Sequence, residues 1–76
     1  MTIKTLIAIH EALHMQLERQ KIELEALIRG LEKNKANGEP SHVVGMSERI
    51  VKSSAEELEN ISRAIEEFEA TNLSVG

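Results

Sequence analysis

A heptad-spaced apolar stripe, broken at Asn37-Gly38 and resumed beyond Pro40, is the feature that most limits how this chain can fold. Ile3, Leu6, His10, Leu13, Leu17, Gln20, Leu24, Leu27 and Leu31 recur at alternating steps of three and four. That spacing is the a/d seam of a long helix packed against a neighbouring helix. Ile7, His14 and Ile28 stand at e positions and are expected to widen the seam. Ile50, Ser54, Leu58, Ile61, Ile65 and Phe68 form a second stripe of the same kind. Helices joined by a short connection run antiparallel. The sequence therefore predicts an all-α, antiparallel two-helix hairpin, coiled-coil-like, as a single domain over 1–76.

The boundaries follow from local chemistry. Thr2 suits an N-cap, and the first helix is expected over about 2–36. Asn37-Gly38 supplies a left-handed stop, which puts the turn at about 37–39. The second helix has two possible starts. Ser47 could cap it, or Pro40 could occupy its first turn, where a missing N–H is no loss. Val43 lies in phase with Ile50 and favours the longer version, about 40–71, with Gly45 inside the helix at a cost of ~1 kcal/mol. Both helices would then be ~50 Å long at 1.5 Å per residue. Matched lengths let each bury its whole stripe. Asn72 suits the closing cap, and 73–76 is expected to fray. Glu25–Arg29, Glu48–Lys52 and Glu59–Arg63 are spaced to pair on the solvent faces.

Composition narrows the class further. The chain has no Cys, which excludes disulfides and thiolate metal sites. All 13 acidic residues are Glu, a good helix former, and Phe68 is the one aromatic. Charge is unevenly divided: six basic against five acidic residues over 1–38, three against eight over 39–76. An acidic half with no basic cluster argues against nucleic acid and against an anionic membrane surface as partner. The longest apolar run near the start is Leu6-Ile7-Ala8-Ile9, too short for a signal or a span, so a cytoplasmic protein is expected, or one delivered by a route without a cleaved signal.

The first helix carries a second face. Ala8, Ala12, Met15, Ile22, Ala26 and Gly30 lie nearly opposite its seam. Alanine is a good helix former on any solvated surface, which is the plain explanation. The alternative is that this face meets another chain, because a two-helix hairpin covers one face and encloses no core. Two hairpins side by side make a four-helix bundle. A homodimer is expected, a tetramer is possible, and another helical protein is the further candidate.

His10-Glu11-Ala12-Leu13-His14 matches H-E-x-x-H. In these five residues the chain resembles the zincin metalloproteases. The resemblance implies Zn²⁺ held by His10 and His14, with Glu11 activating a bound water. The metzincin extension is absent after His14, and no spacing marks a third protein ligand. The preferred assignment makes these His polar seam positions that help fix register, with no metal, cofactor or catalytic residue. Two chains could also pool His10 and His14 around a metal. His42 sits by the turn, far from both in the same chain.

Taken together, the residues predict a small non-catalytic structural or regulatory protein–protein interaction module. Its competitors are a metal-binding protein or zinc hydrolase built on the H-E-x-x-H segment, and a regulatory inhibitor that offers its acidic second helix to a basic partner.

Overall fold

A computed structural model describes residues 2–73. Helix α1 runs Ile3–Ala36 and helix α2 runs Ser41–Phe68, followed by one π-helical turn, Glu69–Leu73. The described residues contain no strand, and none of their helices is long and apolar enough to cross a membrane. The two helices pack antiparallel into a rod of 54 × 16 × 16 Å. Leu73 belongs to the π-helical turn, and the remainder of the tail expected to fray, 74–76, lies outside the described residues.

Each boundary has a local cause. Thr2 caps α1, its hydroxyl oxygen accepting from the Thr5 N–H at 3.2 Å. At the other end Gly38 adopts φ +68, a left-handed conformation. The Gly38 N–H then donates to the Lys35 carbonyl and the Glu39 N–H to the Asn34 carbonyl, both at 3.1 Å. These two bonds make a Schellman motif and satisfy carbonyls that the helix end leaves without partners. Pro40 stands one position outside α2 instead of in its first turn, with ψ 151. Its carbonyl accepts from the Val43 and Val44 N–H groups at 3.0 and 3.1 Å, which starts the helix at Ser41. At the far end the α-helix stops at Phe68, short of the expected 71, and the chain widens into the π-helical turn. The Asn72 side-chain amide donates to the Phe68 carbonyl at 3.2 Å across this turn.

Gly38 and Gly45 make opposite use of the same residue. A Cβ added at either would meet nothing within 4 Å, so backbone preference decides the outcome. Gly38→Ala is expected to destabilise by about 1–2 kcal/mol because alanine resists the left-handed region. Gly45→Ala is expected to stabilise by up to about 1 kcal/mol, since it removes glycine from a helix interior. Thermal unfolding of the two variants at equal protein concentration measures both signs.

The seam is thinner than its stripes imply. Leu6, Leu13, Leu17, Leu24, Leu27 and Leu31 of α1 are half-buried. Among the described residues, the apolar side chains that become buried are Ile61 and Ile65 on α2, each 6% exposed. The e-position residues Ile7, His14 and Ile28 are exposed and do not widen the seam. A single opposing helix is too narrow to cover them. Ile3 is exposed at the open end. On α2, Ile50 is 50% exposed at the seam edge, and half-buried Val51 takes the step between Ser47 and Ser54. Of the solvent-face pairs, Glu59–Arg63 closes at 3.4 Å.

Among the described residues, three polar rungs cross the seam. Near the turn, the Asn34 amide donates to the Ser47 hydroxyl at 2.8 Å. In the middle, the Gln20 amide donates to the buried Ser54 at its hydroxyl, 2.9 Å, and at its carbonyl, 3.2 Å. At the open end, His10 Nε2 meets Glu69 Oε2 at 2.8 Å. A slip of one helical turn would separate all three pairs, leaving polar groups in the seam without partners. The rungs therefore add to the register that the apolar stripes favour.

Candidate functional site

Chemistry-bearing side chains converge at the open end of the hairpin. His10 and His14 lie one turn apart on α1, and i,i+4 spacing stacks them on one face. Their Nε2 atoms are 3.2 Å apart and their rings meet edge to face, with centroids at 4.6 Å. The end of α2 brings Glu69 against His10. The Phe68 ring lies nearly parallel to the His10 ring, with centroids 6.0 Å apart. One donor atom from each of His10, His14 and Glu69 falls within a group no wider than 4.8 Å.

The electrostatics of this end are one-sided. Glu66, Glu67 and Glu69 sit at or beside the C-terminus of α2, and the last turn of that helix has no basic residue. A helix C-terminus already carries partial negative charge, so clustered carboxylates there favour a nearby cation. Lys33 and Lys35 supply such compensation at the end of α1. The end of α2 lacks it.

Sequence reasoning found two members of this group and missed the third. Glu69 is one of 13 glutamates, and no spacing relates it to His10 fifty-nine positions away. The usable signal was geometric. A hairpin folded at Gly38 places His10 opposite a residue about equally far beyond the turn, near 66. Glu11 is exposed and outside the three-residue group, and His42 is in the first turn of α2 at the other end of the rod.

The six residues of the second α1 face are all exposed: Ala8, Ala12, Met15, Ile22, Ala26 and Gly30. Ile22 is 63% and Met15 59% exposed, and the two line one shallow, apolar surface depression with His14. Gly30 leaves open space above its backbone. Helix α2 sorts its apolar residues sharply to one side, whereas α1 distributes them around its circumference. No protein-family model matches the chain, and no curated protein or solved structure proves similar to it.

Proposed function

We propose that the protein is a non-catalytic interaction module whose hairpin self-associates through the second face of α1 into a four-helix bundle. One observation carries this reading. The hairpin buries two apolar side chains among the described residues, while it leaves Ile22 and Met15 more than half exposed.

The overall dimensions support it. A compact monomer of 8.5 kDa presents about 4,700 Å² to solvent, whereas this chain presents 5745 Å². A globular chain of this length has a radius of gyration of about 11 Å, against 17.1 Å here. The surface in excess is what a bundle removes. The face also has the right texture for close packing. Ala8, Ala12, Ala26 and Gly30 let a second backbone approach, and Met15 and Ile22 provide knobs to fill the space between.

Recognition on this reading is helix to helix, with the chain's own copy as the first partner. Native mass spectrometry and sedimentation of the purified protein test it. A dimer is the expected species, and a tetramer is the alternative. A species that stays monomeric up to high micromolar concentration would overturn the proposal.

A further inference from the structure

We propose that His10, His14 and Glu69 bind one divalent transition-metal ion, of the zinc class, as a clasp across the open end of the hairpin. The site is independent of the self-association proposed above, because it draws its three donors from one chain.

The donor set selects the ion. Two imidazole nitrogens and one carboxylate oxygen suit Zn²⁺, Co²⁺, Ni²⁺ or Cu²⁺, whereas Ca²⁺ and Mg²⁺ prefer oxygen throughout. Three protein ligands with a fourth position left to water is a coordination zinc adopts, although sites of purely structural zinc more often close with four protein ligands.

The distances are close to those a metal requires. With bonds of 2.0–2.1 Å, tetrahedral donors lie about 3.3 Å apart. The two Nε2 atoms are already at 3.2 Å. His10 Nε2 and Glu69 Oε2, now at hydrogen-bond distance, would part by about 0.5 Å to reach that spacing. No donor pair exceeds 4.8 Å, so the remaining adjustment is a side-chain rotation. His14 is exposed and the Glu69 side chain is 44% exposed, so both have room to make it. His10 is the fixed member, with a side chain 27% exposed and stacked on Phe68.

Proton counting favours a cation at this point. His10 Nε2 faces both His14 Nε2 and Glu69 Oε2, yet a ring nitrogen carries at most one proton. A single proton cannot lie along both directions. One metal ion accepts a lone pair from each of the three atoms at once. It would also offset the uncompensated carboxylates at the end of α2. The role we assign is structural. Glu11, which a hydrolase would need beside the metal to activate a bound water, lies outside the group.

The test uses the full chain, stripped with a chelator and then titrated with Zn²⁺, or with Co²⁺ as an absorbing probe. Native mass spectrometry reads stoichiometry, and circular dichroism reads helicity and the unfolding midpoint. One ion per chain and a raised midpoint are expected. Loss of a direct ligand should cost at least as much as loss of an outer-sphere partner, about 10–100-fold in affinity. His14→Gln and Glu69→Gln should each show that loss with metal-free helicity unchanged, and Glu11→Gln should bind as the wild type does. Absence of stoichiometric uptake would overturn the proposal. So would uptake that survives Glu69→Gln, including half an ion per chain held by the His pairs of two chains.

Discussion

Ile61→Ala is expected to destabilise the hairpin by about 2–4 kcal/mol, as truncation of a buried isoleucine usually does. Against a small core that rarely supplies more than about 3–5 kcal/mol, that loss is most of the margin. Ile61 and Ile65 are the buried apolar residues among those described, and both lie on α2. No third layer exists to collapse into the space left by the missing methyls. Ile50→Ala is the matched control. That side chain is half exposed, so its truncation should cost less than about 1 kcal/mol. Urea unfolding followed by circular dichroism, at one fixed protein concentration, compares the two. Equal losses at both positions would place the centre of packing elsewhere.

The second large effect is expected at Ile22. Ile22→Glu puts a carboxylate at the middle of the α1 face assigned to self-association. It removes an apolar contact and buries an unpaired charge if the bundle still forms. A combined penalty of about 3 kcal/mol or more corresponds to at least about a 100-fold weaker dimer. Sedimentation should find a monomer where the wild type is a dimer. Gly30→Leu gives a complementary result. Within the hairpin the new side chain enters open space, so the fold tolerates it, yet it props apart any backbone that packs on Gly30. An Ile22→Glu protein that keeps the wild-type assembly would show that the contact lies on another face.

Much of the fold was legible because its determinants are local. Steps of three and four specify a helical seam, Thr2 marks one start, and Asn37-Gly38 marks one stop with the left-handed glycine found there. The choice between Ile50 and Val51 was not legible. Both are apolar and adjacent, and the three-four spacing accommodates either until the partner helix is in place. The displacement of Pro40 by one position is of the same kind, since both placements leave the proline nitrogen without a lost bond. The candidate site was half legible. His10 and His14 share a helix face by spacing, whereas Glu69 joins them only through the register of the hairpin. Its π-helical turn adds a further departure, because counting 3.6 residues per turn does not anticipate a wider turn after Phe68.

The three polar rungs also order the hairpin in time. They connect residues 13, 34 and 59 positions apart in the chain, from the turn outward. Loop-closure entropy makes the outermost rung about 1.3 kcal/mol harder to form first than the innermost. The chain is therefore expected to zip from Gly38 toward its ends, each rung shortening the loop that the next must close. Opening in reverse would first part His10 and His14 from Glu69 while the Asn34–Ser47 end still holds, an order that hydrogen exchange would read.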